Sequence, residues 1–158
     1  MRTYWSKLLH RAAPLRELWW PPSAFLFVRV LLFIAVSPLL LRVKLPRLLA
    51  FLEPSALSTD SDPVKVDRII RYTDALLVGR GPLPRRSCFR RAVTLYYFLR
   101  REGMQLGICF GVSPFAEGLT GHCWLVKDGE PFLEKGDPLS TFIPMYSFPH
   151  DRQPASYG

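Results

Sequence analysis

The sequence is poor in cysteine, almost devoid of acid over its first 52 residues and free of internal repeats, and each shortage excludes something. Its three cysteines, Cys88, Cys109 and Cys123, are an odd set without paired metal-ligand spacing, which argues against a disulfide framework and against a zinc site. A reducing cytoplasm is the expected setting. Residues 1–52 carry Glu17 alone against Arg2, Lys7, Arg11, Arg16, Arg29, Arg42, Lys44 and Arg47, so nearly all of the net charge of +8 lies there. No nucleic-acid-binding motif accompanies that charge, so no nucleic-acid partner is expected. An anionic membrane surface or an acidic protein suits it better. A secretory signal is not expected either: the apolar run starts only after Ser23, and no small-residue cleavage site follows Leu41.

What is present reads as one folded unit. A chain of 158 residues, 49% hydrophobic and 22% charged, is long enough to bury a core and has the composition of a globular protein. The most apolar stretch, Ala24 to Leu41, is interrupted by Arg29 and Pro38 and flanked by basic residues on both sides. Without the charge asymmetry that orients a spanning helix, it reads first as a helix packed on the domain or on a partner subunit, with membrane association through residues 24–41 as the alternative. Leu45 to Leu52 forms one further short helix, and Pro54 to Asp62 is a boundary.

Asp62 caps the next helix and Pro63 fits its first position; Val66, Ile69, Ile70, Thr73, Leu76 and Leu77 then recur at helical spacing until Gly79. The stretch 79–86, GRGPLPRR, is a loop. Residues 87–102 are again helical, with Ala92, Leu95, Tyr96 and Leu99 along one face and Gly103 as C-cap. In MQLGICFGV, Leu106, Ile108, Phe110 and Val112 alternate as on a half-buried strand. Residues 118–121 read as a loop. HCWLV and PFLEK flank a turn at Asp128 and Gly129, the signal of a hairpin.

Chemistry concentrates at Cys88 and His122. A cysteine attacks as thiolate, and a helix N-terminus lowers its pKa; Cys88 lies in the first turn of its helix, with Ser87 as N-cap and Arg85, Arg86, Arg90 and Arg91 nearby. Those arginines read as solvated charges rather than as parts of a site. His122 opens a strand, and a cysteine followed by a histidine and then a carboxylate can supply nucleophile, base and orienting group. Hairpin parity leaves two carboxylates in competition. With a two-residue turn at Asp128 and Gly129, Asp137 falls on the histidine face; with a three-residue loop over 128–130, Glu134 does.

The segments CFRRAVTLYYFLRREG, GICFGV and HCWLVKDGEPFLE resemble the transglutaminase-like proteins that act as leader peptidases in lasso-peptide biosynthesis. The resemblance runs from about Ser87 to Glu134. It implies an α+β, papain-like fold in which a cysteine-bearing helix packs on a small antiparallel sheet, here with an apolar helical N-terminal extension. It assigns Cys88 as nucleophile, His122 as base and the position of Glu134 to the family's orienting aspartate, a conservative departure. It also implies cleavage of a leader from a ribosomally made precursor peptide, with a separate leader-recognition protein and neighbouring biosynthetic enzymes as partners. No metal or organic cofactor is needed by such a mechanism. The expected organisation is a basic, apolar extension over 1–60, a catalytic domain over 61–148 and a flexible tail over 149–158. Two other readings remain: acyl transfer to an amine, and a non-catalytic scaffold for peptide or membrane.

Overall fold

The computed structural model describes residues 21–40, 42–54, 61–78, 88–114 and 120–149. Four helices come first: α1 (Pro21–Leu40), α2 (Leu45–Leu52), α3 (Pro63–Val78) and α4 (Cys88–Arg101). Four strands follow, β1 (Gly107–Ser113), β2 (Thr120–Lys127), β3 (Glu130–Phe132) and β4 (Ile143–Phe148), with a 3-10 turn at Pro138–Ser140 between the last two. All pairings are antiparallel and the sheet order is β3-β2-β1-β4. This is the expected α+β architecture. Ser87, the stretch 79–86, residues 115–119 and the stretch 150–158 lie outside the described residues, while Thr120 and Gly121, expected in a loop, are the first residues of β2.

Local chemistry sets the helix ends. Asp62 Oδ1 accepts hydrogen bonds from the amides of Val64 and Lys65 at 2.9 and 3.3 Å, satisfying two donors that the first turn of α3 leaves without helical partners. α4 stops at Gly103, whose φ of 84° suits glycine, and the amides of Gly103 and Met104 close back onto the carbonyls of Arg100 and Leu99.

α4 is buried almost all round rather than along the one face its periodicity marks: Val93, Thr94 and Phe98 are buried beside Ala92, Leu95, Tyr96 and Leu99. It lies between α1 and α3 on one side and the sheet on the other. Ile108, Cys123 and Leu125 face it in the main core, whereas Cys109, Trp124 and Val126 form a smaller cluster on the opposite side of the sheet, covered by Leu139 and Phe142. β1 is therefore buried on both faces, not half-buried. Leu26, Val30 and Ile34 of α1 and Leu48, Leu49 and Leu52 of α2 belong to the main core with α3 and α4, so these two helices of the stretch read as an extension share their core with the rest.

Arg90 fastens α1 to α4. Pro38 lies inside α1 and has no N–H for the carbonyl four residues back, Ile34. That carbonyl instead accepts from Ser37 Oγ at 2.7 Å and from Arg90 Nη2 at 2.6 Å, while Arg90 Nε donates to Ser37 Oγ at 2.8 Å. Arg90 is 3% exposed, which corrects its reading as a solvated charge. At the other end of α4, Glu53 takes hydrogen bonds from Tyr96 and Arg100, and Arg101 donates to the carbonyl of Leu52.

Candidate active site

Cys88 is the first residue of α4, where backbone N–H groups have no helical acceptor and the positive end of the helix dipole favours an anion. Its half-buried thiol is hydrogen-bonded to the imidazole of His122 and receives the backbone amides of Cys123 and Phe89. The imidazole does most to lower the thiol pKa below its usual value; burial opposes this, and the two amides and the positive charge of His122 add to the lowering. The other two cysteines move the opposite way, since burial raises Cys109 and Cys123. Of the three, only Cys88 is shifted toward the thiolate.

His122 is the third residue of β2 and pairs with Gly111 of β1. Its ring stacks on Trp124, with centroids 5.8 Å apart and planes 21° from parallel, and lies 5.1 Å from the ring of Phe142. Gly111 makes room for that stack, because a Cβ there would lie 2.8 Å from Trp124 Cη2 and 2.9 Å from the carbonyl of Ile143. Nε2 of His122 lies 3.1 Å from Glu134 Oε2, which leaves Nδ1 for the sulfur. The contacts with Cys88 and then Glu134 raise the imidazole pKa to about 9 against the effect of burial. With the thiol lowered and the imidazole raised, the proton they share is shifted from the sulfur toward the ring, in the direction of a thiolate–imidazolium pair.

The carboxylate reaches His122 by an irregular path. Lys127 pairs with Glu130, Val126 with Pro131 and Leu125 with Phe132, so the turn has two residues, Asp128 and Gly129, both at positive φ. Regular continuation would set Glu134 opposite Cys123 and turn it away from the histidine face, which is why parity favours Asp137 for this turn. β3 ends at Phe132, however, and Leu133 adopts φ 61°. That residue breaks the two-residue alternation and brings Glu134 to the imidazole. Asp137 is used differently, capping the 3-10 turn by accepting from the amide of Leu139 at 2.9 Å. The early end of β3 also leaves the β2 edge open at Cys123, whose amide serves the sulfur of Cys88.

Two further residues complete the arrangement: Asp74, which the sequence does not single out, and Arg91, whose reading as a solvated charge its ion pairs correct. Arg91 Nη1 lies 3.6 Å from Glu134 Oε1, and its Nε donates to Asp74 Oδ1 on α3 at 2.7 Å. Glu134 is therefore held between a histidine and an arginine, and the arginine is itself fixed by Asp74. Two adjacent arginines carry no mark of this in sequence. The helix turns these neighbours about 100° apart, so Arg90 meets Ser37 and Ile34 of α1 while Arg91 meets Asp74 of α3 and Glu134. Among the described residues no group of three or more His, Cys, Asp or Glu side chains is arranged to hold a metal ion.

A nucleophilic sulfur at a helix start, an imidazole on the adjoining strand and a carboxylate behind it can carry out acyl transfer. Comparison with known proteins agrees in kind. A family model for the transglutaminase-like superfamily, whose members are usually cysteine-dependent enzymes acting as proteases or acyl transferases, matches residues 32–147. No curated protein and no solved structure matches the chain. The matched span covers most of the chain, from within α1 to β4, and includes Asp74, Cys88, Arg91, His122 and Glu134; the chain belongs to the transglutaminase-like superfamily.

Proposed function

We propose that this protein is a cysteine peptidase that removes the leader segment from a ribosomally made precursor peptide, as in lasso-peptide maturation. The observation that carries the peptidase reading is the chain of contacts from the Cys88 thiol through the imidazole of His122 to Glu134. Support for the leader-peptide substrate comes from the motif resemblance of the cysteine helix and the histidine hairpin.

In the first step the Cys88 thiolate forms a bond to the scissile carbonyl carbon, and the carbonyl electron pair moves onto oxygen. Amides of the first turn of α4 are the donors in reach of that oxyanion. Collapse breaks the C–N bond, and the imidazolium of His122 gives its proton to the departing amine, leaving a thioester. Neutral His122 then takes a proton from water, hydroxide adds to the thioester carbonyl, and cleavage of the C–S bond releases the acid and restores the thiolate and imidazolium. Glu134 holds the ring in one orientation and stabilises its positive charge throughout, as the carboxylate of a catalytic triad does.

The test is incubation with the precursor peptide, with and without a separate leader-recognition protein, read by mass spectrometry. Two fragments whose summed mass exceeds that of the precursor by one water are expected, and their loss in Cys88→Ala and His122→Ala. A product joined to an amine with no water gained would reassign the reaction to acyl transfer. Cleavage that persists in either variant would remove the proposed mechanism.

A further inference from the structure

α1 has two apolar faces, and the fold uses one. Leu26, Val30, Ile34 and Ser37 are buried, whereas Phe25, Val28, Leu32, Val36 and Leu39 are between 46% and 65% exposed. Spacings of three and four residues set the second group in one stripe along the helix. Phe51 on α2 is 78% exposed, and Val43, between the helices, is exposed as well. A run of large exposed apolar side chains of this extent marks a surface that meets something other than water.

The charge around it is of one sign. Arg29 lies one turn beyond Phe25 and Arg47 one turn before Phe51, while Arg42 and Lys44 stand in the connection; all four are exposed. No acidic residue occurs between Glu17 and Glu53, and Glu53 is engaged by Tyr96 and Arg100. Residues 1–20 add Arg2, Lys7, Arg11 and Arg16. A second copy of this chain seated on the same face would oppose these cations to themselves. An anionic lipid surface meets both properties at once, taking up the apolar side chains and neutralising the basic ones.

We propose that the exposed face of α1 and α2 docks on an anionic bilayer, with both helices lying in the interface. Residues 23–40 are long and apolar enough to cross a membrane by length and composition. Crossing, however, would strip α1 from the core, carry Ser37 and the Ile34 carbonyl into hydrocarbon and break their contacts with Arg90, which stays on α4 in the domain. The buried Arg90 contact holds α1 on the domain and turns its outer stripe to the lipid.

Co-sedimentation of the full chain with vesicles of phosphatidylglycerol and phosphatidylcholine, against vesicles of phosphatidylcholine alone, tests this. Binding to the anionic vesicles is expected, weakening about fivefold for each of Arg29, Arg42, Lys44 and Arg47 changed to Gln. It should weaken further in a Leu32→Asp, Phe51→Asp double variant with an unchanged thermal melt; should that variant fail to fold, the four charge variants decide alone. Equal binding to both vesicle types would overturn the proposal. So would failure to bind either: a protein that instead dimerises as its concentration rises would mark the face as a contact between copies, and one that stays monomeric would assign its cover to residues 1–20.

Discussion

Glu134 Oε2 lies 3.1 Å from Nε2 of His122, and this contact depends on the one residue between β3 and the carboxylate, Leu133, whose φ of 61° ends the strand alternation. The backbone geometry of a hairpin end thereby selects which acid orients the imidazole. Glu134→Gln removes the charge that favours the imidazolium, and kcat/KM is expected to fall by about 10²- to 10⁴-fold. Asp137→Asn, which alters a turn cap, should leave kcat close to that of the native protein. Steady-state kinetics on the precursor peptide compares the two, and the reverse ranking would show that Asp137 holds the ring.

The proton balance of the site fixes the pH dependence. The Cys88 thiol is lowered and the His122 imidazole raised to about 9, so the reactive pair, thiolate and imidazolium, is populated between the two. As pH rises through about 9, His122 loses the proton that the leaving amine needs, and cleavage falls. As pH drops through the lowered thiol value, the thiolate is protonated and cleavage falls again. A bell-shaped profile of kcat/KM against pH is expected. A rate that climbs steadily through pH 9, following an ordinary thiol, would show that Cys88 is not paired.

Arg91 touches Glu134 and Asp74, and its expected role is to position the carboxylate. Its guanidinium bridges Glu134 and Asp74, and losing it lets the carboxylate move relative to the imidazole. Arg91→Gln is expected to lower kcat by up to about 10²-fold, the scale on which small misplacements of catalytic groups act, and to move the alkaline limb of the pH profile downward because the freed carboxylate holds the imidazolium less well. A change in KM alone would place Arg91 in substrate binding instead.

Gly111 carries a structural cost that should appear in both stability and activity. An added methyl would sit 2.8 Å from Trp124 and 2.9 Å from a backbone oxygen, so Gly111→Ala must displace one of them. Overpacking of this kind costs about 1–3 kcal/mol. Because Trp124 stacks on His122, the variant should lose activity at temperatures where it is still folded. Calorimetry and kinetics on one preparation check both halves.

The link between Pro38 and Arg90 can be tested by a double-mutant cycle. Arg90→Met removes the guanidinium donor to Ser37 Oγ and to the Ile34 carbonyl, which keeps only the Ser37 hydroxyl, at a cost of about 1–3 kcal/mol. Pro38→Ala restores a backbone N–H to that carbonyl, so the same arginine change should cost measurably less in that background. Additive costs in denaturant unfolding would contradict the link.

Much of this arrangement is legible in the sequence, for definite reasons. The four described helices announce themselves through periodicity and capping residues such as Asp62 and Gly103, and the hairpin through Asp128 and Gly129. Cys88 and His122 stand out because a thiol at a helix start and an imidazole at a strand start are chemically loaded positions. Glu134 is legible from the resemblance alone, since hairpin parity with the observed two-residue turn points to Asp137 and nothing local foretells the positive φ of Leu133. β4 escapes notice because it is an edge strand: Pro144 interrupts its donors, and Ile143 and Met145 face outward. Arg90 and Arg91 escape because adjacent arginines resemble a solvated face, and only the packing of α4 between α1, α3 and the sheet separates their tasks.

The pairing of Cys88 with His122 is tested most directly by alkylation with iodoacetamide across pH, with each cysteine followed by peptide mass spectrometry in the native protein and in His122→Ala. Cys88 should react near neutral pH much faster than Cys109 or Cys123, and the His122→Ala change should shift its labelling to the alkaline range of an ordinary thiol. Slow labelling of all three cysteines alike, unaffected by loss of the imidazole, would contradict the account.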